Sequence, residues 1–196
     1  DIRENVKMAG GKVDGVLRFS IQWNDEDFCP NDYDAHCLLP SGLEIFFGER
    51  KDKETLGELD IDIIHPQKGV PAVENIVWPS MARMKQGTYL MYVHCYTNSG
   101  GHSGFKAEVE FDGVTHSLEY KKELRRGEVI KVAEVTYDPA KGFTIKDLIP
   151  STMSTQDIWG LKSNQFIPVS VVMYSPNYWD EQDGIGHRHY FFMLKD

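Results

Sequence analysis

The amino-acid sequence predicts an all-β fold: an antiparallel β-sandwich of the jelly-roll or immunoglobulin-like kind, with a short helix and extra strands near the C-terminus. Apolar and polar residues alternate with a period of two over short runs. Turn signals recur about every 10 residues, and no amphipathic helix of useful length occurs. Aromatic residues are 12% of the 196 residues and favour strands. The length suits one sizeable domain.

The strand signals follow one another along the chain with turns between them. In residues 17–23 the odd positions are apolar and the even positions are polar, which is typical of a half-buried strand. Pro40-Ser41-Gly42 and Asp112-Gly113 are clear turn signals. The strands predicted in this way are 17–23, 32–39, 43–47, 58–64, 73–78, 87–96, 105–112, 114–120, 127–137 and 142–148.

The pattern changes near Pro150. We therefore treat 1–149 as the main sandwich and 150–196 as an extension that adds strands to it or packs on one end, within a single domain overall. Ser154 or Thr155 is the candidate N-cap of a short helix that ends near Leu161. Two further strand-like runs follow, at 167–174 and 189–194.

The charge distribution excludes some partner classes. The net charge is −9, and residues 1–80 hold 16 acidic and 8 basic side chains. Such a field repels nucleic acids and anionic membranes and attracts cations. No run of about 18 apolar residues is present, so no membrane insertion is predicted.

The cysteines bear on the compartment. Cys29, Cys37 and Cys95 are an odd number and contain no C-x-x-C motif, which favours reduced thiols; one disulfide with one free thiol is the alternative. The first residues lack the apolar segment of a signal peptide. We expect a cytoplasmic protein, and because the chain does not begin with Met, we expect it to be a domain of a larger or processed protein.

Acidic residues in two strands predict a metal site. Alternate residues of a strand share one face, so Asp32 and Asp34 lie together, as do Asp60 and Asp62. If the two strands are neighbours, their carboxylates repel one another unless a cation compensates, and Ca²⁺ binds such oxygens. The predicted Ca²⁺ ligands are Asp32, Asp34, Asp60, Asp62 and Glu74.

Two alternatives stay open for this cluster. The acids of a −9 protein also occur as a solvated face that binds no ion. Zinc is the other possibility, because His36 and His94 together with a carboxylate form a suitable donor set.

The segment 177–189 predicts a contact surface. Its candidate ligand- or partner-binding residues are Tyr178, Trp179, His187 and His189. Tyr and Trp dominate binding hot spots, and a His-x-His pair on a strand places both imidazoles on one face. The alternatives are aromatic residues that cap one end of the sandwich, or a metal or catalytic site.

An ordered series of motifs resembles the YfaP-type family of uncharacterised β-sandwich domains. The series is DYDAHCLLPSG, FFG, GELDIDI, VENI and GTYLMYVHCY, and the resemblance covers about residues 16–112. It implies a β-sandwich and places the family's acidic positions on the five predicted Ca²⁺ ligands. It implies no activity.

The sequence therefore predicts a non-enzymatic binding or interaction module with a structural Ca²⁺ site, whose partner is a protein or a glycan. No G-x-S-x-G, P-loop, G-x-G-x-x-G or H-E-x-x-H motif occurs. One alternative is a Ca²⁺-assisted carbohydrate-binding module that stacks sugars on Trp23, Tyr33, Tyr178 or Trp179. The other is a metal-dependent hydrolase with Asp and His ligands.

Overall fold

The all-β prediction is confirmed by the computed structural model. The structure describes residues 1–158, 161–162, 169–174 and 190–194, and the side chains of residues 1–152. It divides into two compact units, Asp1–Ser163 and Asn164–Asp196. The first unit holds two antiparallel sheets around one core, and the second holds a hairpin. The expected division after residue 149 stays a prediction.

The described elements comprise one α-helix, one 3₁₀ turn at Met81–Arg83 and fourteen strands. In chain order they are α1 (Ile2–Met8), β1 (Leu17–Trp23), β2 (Asp32–Leu38), β3 (Glu44–Ile45), β4 (Glu58–Ile61), β5 (Ala72–Trp78), β6 (Gly87–Thr97), β7 (Phe105–Phe111), β8 (Val114–Tyr120), β9 (Val129–Asp138), β10 (Gly142–Asp147), β11 (Ser151–Ile158), β12 (Leu161–Lys162), β13 (Val169–Tyr174) and β14 (Tyr190–Leu194).

The two sheets of the first unit pack face to face. The first has the order β12-β11-β8-β7-β1-β5-β4, and the second has the order β10-β9-β6-β2-β3. Period-two alternation produces the shared core, as in β7, where every second residue from Phe105 to Phe111 is buried. Trp23, Tyr33 and Trp78 are among its largest fully buried side chains.

The first strand differs from its prediction, because β1 is buried on both faces. Its polar residue Arg18 is only 1% exposed, and Gln22 is 5% exposed. Helix α1 explains part of this burial: Val6 packs on Val73 of β5, and Asn5 Nδ2 donates to Gln22 Oε1 at 2.7 Å. Seven residues are too short for a periodic helix signal, so α1 was not predicted.

The predicted helix at 154–161 is wrong. Residues 151–158 form strand β11, which pairs antiparallel with β8. Pairing across the sheet satisfies the backbone groups of this Ser- and Thr-rich run, and it outweighs the local capping signal. The strands predicted at 167–174 and 189–194 overlap β13 and β14, the hairpin of the second unit.

One edge of the sandwich is incompletely covered, and this edge positions the candidate site. β2 pairs with β6 along its whole length, whereas β3 pairs only with Cys37 and Leu38. Among the described strands, none pairs with the remaining side of β2. There the backbone N–H of Ala35 donates instead to Oε2 of Glu74, at 2.6 Å. Glu74 belongs to β5, so this bond joins the two sheets.

The cysteines and the helices bear on two expectations from the sequence, unpaired thiols and no membrane insertion. Cys29, Cys37 and Cys95 are buried and free, as expected for unpaired thiols. Within the described part of the chain, no helix has the length and apolar content needed to span a bilayer.

Candidate metal centre

Four carboxylates converge at the open edge. Asp32 and Asp34 come from β2, Glu74 comes from β5, and Asp62 directly follows β4. One oxygen each of Asp34, Asp62 and Glu74 lies within 4.8 Å of the other two. The relative exposure is 6% for Asp32, 4% for Asp34 and 1% for Glu74. Acids of separate strands thus meet at Asp34, Asp62 and Glu74.

Several oxygens in this cluster have no donor. Oδ1 of Asp32, Oδ2 of Asp34 and Oε1 of Glu74 are buried without a hydrogen-bond partner among the described residues. Nη1 of Arg50 lies 3.7 Å from Oδ2 of Asp62. Among the described residues, it is the only Lys or Arg nitrogen within 4.0 Å of an oxygen of the four carboxylates. A buried carboxylate without a partner costs free energy, and Asp34, Asp62 and Glu74 are placed so that they could hold a metal ion.

The pKa values express the same imbalance. Burial, followed by repulsion from Asp62, raises the pKa of Asp32 to about 6. Burial, followed by repulsion from Asp32 and Asp62, raises the pKa of Asp34 to about 7. Burial also raises the pKa of Glu74 well above its usual value, and Asp34 and Asp62 raise it further. Each group thus resists ionisation in the absence of a cation.

Asp60 is not part of this cluster. Its Oδ2 accepts from the backbone N–H of Lys12 at 2.6 Å, and its Oδ1 accepts from Asn75 Nδ2 at 2.8 Å. The pairing of β4 with β5 shifts register between Leu59 and Ile61, at the position of Asp60. Asp60 fixes the segment after α1, and its role as a metal ligand stays a prediction.

Two histidines lie beside the cluster, on the same face of β2 and β6. Nδ1 of His36 lies 3.1 Å from Oε1 of Glu44, and Nδ1 of His94 lies 3.7 Å from Oδ2 of Asp34. Asp34, His36 and His94 form a second group with ligand atoms within 4.8 Å of one another. Burial lowers the pKa of His36, although Glu44 opposes that shift. Neutral imidazole is the form that binds metals.

Asp32, Asp34 and Asp62 line a pocket of about 170 Å³. Its other lining residues are Phe47, Ile64 and Tyr96, which are 43%, 53% and 49% exposed. The rings of Phe47 and Tyr96 contact each other with centroids 5.4 Å apart. Sequence reasoning missed this apolar rim, because its three residues come from separate segments and share no periodic pattern.

A larger cavity, of about 590 Å³, lies elsewhere, beside Asp25 and Lys106. There the carboxylates already have a cation, since Lys106 Nζ lies 2.8 Å from oxygens of Asp25 and Glu26. Its size therefore does not indicate a metal site.

The structure places the other predicted contact residues differently. Trp23 and Tyr33 are 1% and 0% exposed, so neither can stack on a sugar. Trp23 Nε1 donates to the carbonyl of Asn31, as expected of a core tryptophan. The predicted binding residues of the C-terminal loop lie outside the described residues: Tyr178, Trp179, His187 and His189.

Comparison with known proteins adds distant structural likenesses. No family model matches the chain, and no curated protein matches it. A protein of unknown function, SAV2460, has 12% identity over 69% of this chain and 88% of that chain, with a TM-score of 0.46. A homologue of telluride resistance protein (TerD), SCO6318 from Streptomyces coelicolor A3(2), has 15% identity over 70% and 91%, with a TM-score of 0.41. Neither likeness supports a statement about function, and the resemblance to YfaP-type domains stays a prediction.

Proposed function

We propose that this protein is a non-enzymatic β-sandwich binding module with a structural Ca²⁺ site. The ion is held by Asp34, Asp62 and Glu74, with Asp32 as a further ligand. The observation that carries the proposal is the convergence of buried carboxylate oxygens that have no donor. A cation at this position replaces the missing partners and ties β2 to the other sheet.

The donor set favours Ca²⁺ over other common ions. Ca²⁺ takes 6–8 oxygen ligands in flexible geometry, with carboxylates binding through one or both oxygens. Four carboxylates from three segments offer up to eight oxygens without a regular arrangement. Mg²⁺ demands an octahedral shell and retains water, and Zn²⁺ prefers nitrogen and sulfur ligands.

Thermal unfolding tests the site. In saturating Ca²⁺ we expect the Tm to exceed its value in EDTA by about 5–10 °C, since occupancy at 100 times the Kd adds about 2.7 kcal/mol. Mg²⁺ should give a much smaller rise. Glu74→Gln should abolish the Ca²⁺ response, because it removes a ligand charge while keeping the side-chain length.

Glu54→Gln is the matched control, since Glu54 is exposed and does not line the carboxylate pocket. It should respond to Ca²⁺ like the unmodified protein. An absent Ca²⁺ response, or an equal response in Glu74→Gln, would overturn the proposed site.

The apolar rim supports the binding part of the proposal. Phe47, Ile64 and Tyr96 line the pocket together with Asp32, Asp34 and Asp62, and they remain substantially exposed. Exposed aromatic residues beside a polar pocket are typical of contact surfaces. We assign this rim to contact with a protein partner that packs on the two rings.

Carbohydrate binding is the second candidate, favoured by the exposed Phe47–Tyr96 ring pair beside a Ca²⁺ site. A glycan array with and without Ca²⁺ separates the two. A Ca²⁺-dependent signal that Tyr96→Ser abolishes would establish the carbohydrate function. A blank array with a folded, Ca²⁺-loaded protein would favour the protein partner.

A further inference from the structure

We propose a second metal site, for a transition-metal ion of the Zn²⁺ type, formed by Asp34, His36 and His94. It goes beyond the proposed Ca²⁺ site, because its donors are two imidazoles and one carboxylate. It adjoins that site through Asp34, whose side chain belongs to both groups.

The backbone register places the three ligands on one face of the second sheet. Asp34 and His36 are alternate residues of β2, so their side chains leave the same face. His94 of β6 pairs directly with Asp34. Directly opposed residues have Cβ atoms about 4.5–5.5 Å apart, which suits shared ligation of one ion.

His36 is oriented as a ligand. Its Nδ1 lies 3.1 Å from the Glu44 carboxylate, so the neutral ring carries its proton on Nδ1 and leaves a lone pair on Nε2. The ring is stacked between Phe46 and Tyr92, with centroid distances of 5.3 Å and 4.7 Å. These contacts fix the ring before any ion binds.

The lone pair of His36 lacks a partner, and this points to an ion. His36 is only 7% exposed, and its Nε2 is buried without a hydrogen-bond partner among the described residues. Oδ2 of Asp34, likewise buried and unpartnered, lies 3.7 Å from Nδ1 of His94. A purely structural histidine accounts for the stacking and the Glu44 contact, but not for these two bare acceptors.

The donor chemistry selects the metal class. Imidazole binds Zn²⁺, Cu²⁺, Ni²⁺ and iron, whereas Ca²⁺ takes oxygen ligands. Three protein ligands leave a fourth tetrahedral position for water. The His94 side chain is 27% exposed, which gives that position access to solvent.

Metal titration of the full chain tests this second site. We expect the EDTA-stripped and dialysed protein to bind Zn²⁺ in calorimetry, and to give the visible absorption of tetrahedral Co²⁺. His94→Gln should weaken Zn²⁺ binding by at least about 100-fold, and Glu44→Gln should weaken it by about 10-fold through lost orientation of His36. Ca²⁺ affinity should stay within about threefold in His94→Gln, because the imidazole is not a Ca²⁺ ligand.

The reciprocal variant separates the two metal sites. Glu74→Gln should lose the Ca²⁺ response and keep Zn²⁺ binding. Because Asp34 serves both ions and two cations repel, saturating Ca²⁺ should weaken Zn²⁺ binding by about fivefold or more. The surface control His102→Gln, at a side chain 82% exposed, should match the unmodified protein in both titrations.

Each contrary result has a definite meaning. Zn²⁺ binding that survives both His94→Gln and His36→Gln would overturn the second site. Zn²⁺ binding lost in Glu74→Gln but kept in His94→Gln would move the ion to the carboxylates and also overturn it. No Zn²⁺ binding at all, beside an intact Ca²⁺ response, would overturn the second site and leave the proposed function standing. Far-UV circular dichroism in EDTA verifies that each variant is folded.

Discussion

Asp34→Asn is expected to make the metal-free protein more stable at pH 8, by about 2 kcal/mol or more. Asp34 is 4% exposed, its Oδ2 has no donor, and Asp32 and Asp62 repel its charge. Asparagine removes that charge and keeps the shape, and its amide can donate to neighbouring carboxylates. In saturating Ca²⁺ the order should reverse, because the variant has lost a ligand.

The difference in stability between the two proteins should depend on pH, because the pKa of Asp34 is raised. The pKa of Asp34 is raised from 3.8 to about 7 by burial, followed by repulsion from Asp32 and Asp62. The stability contributed by the protonated form is therefore fully present below pH 3.8 and is lost as the pH rises through 7. Asparagine stays neutral throughout, so the two proteins should differ most above pH 7 and converge toward pH 4.

Urea unfolding in EDTA between pH 4 and pH 8 measures this difference. Glu54→Gln, at an exposed side chain, should follow the unmodified protein at every pH. A variant that is less stable than the unmodified protein in EDTA at pH 8 would contradict the prediction. It would show that the carboxylates are compensated by the protein itself.

A second large effect is expected at Arg18, on the other sheet. This side chain is 1% exposed, and its Nη2 donates to carboxylates of Glu108 and Glu110, both at 3.0 Å. Arg3 adds a bond from Nη1 to Glu110 at 2.9 Å. Burial alone would raise the pKa of Glu110, but Arg18 and Arg3, with the Thr115 hydroxyl, hold it below its usual value.

Arg18→Met should lower the free energy of unfolding by about 3–5 kcal/mol at pH 7, because it leaves mostly buried carboxylates without their guanidinium. Since the pKa of Glu110 is lowered from 4.5, its stabilising contribution is present above pH 4.5 and is lost as the pH falls below it. The cost of the substitution should therefore shrink in acid.

Arg3→Met is the comparison for urea unfolding at several pH values. Its side chain is 21% exposed, so the loss should be about 1 kcal/mol. Equal costs for the two variants, or a cost for Arg18→Met that grows in acid, would show that the ion pairs do not set the stability.

The two regions differ in how their buried carboxylates are compensated. Where β1 and β7 bury carboxylates, the fold supplies Arg18 and Arg3 within hydrogen-bond distance. At the open edge, one arginine lies near a comparable set of acids, with Arg50 Nη1 3.7 Å from Asp62 Oδ2. Several carboxylate oxygens there have no hydrogen-bond donor among the described residues. This contrast between buried acids that are paired and buried acids that are not supports the cation proposed at the open edge.

Much of the fold could be predicted from the sequence, because alternation with a period of two is local. Residues 105–112 were predicted as a strand, and β7 has the alternating burial that such a pattern implies. Alternation also placed Asp32 and Asp34 on one face. It could not show that β3 has only two residues and pairs only with Cys37 and Leu38, so that the Ala35 N–H is left to donate to Glu74.

The sequence could not show the contacts that depend on tertiary structure. Asp60 and Asp62 look equivalent in the sequence. In the structure, the pairing of β4 shifts register at Asp60, and its carboxylate accepts hydrogen bonds from Lys12 and Asn75. His36 and His94 are 58 positions apart, and only the β2–β6 register makes them neighbours. The rim residue Tyr96 ends a strong strand signal, and nothing local marks it as the wall of a pocket.

The bond from Ala35 to Glu74 also bears on how copies of this protein meet. An unpaired strand edge is a template onto which a neighbouring molecule can add its own strand, and such growth leads to aggregates. Here the backbone N–H of Ala35 donates to Glu74 of the opposite sheet. Asp32 and Asp34, on the same strand, line the pocket beside it. The Ala35–Glu74 bond thus leaves that N–H unavailable to a strand of a second molecule.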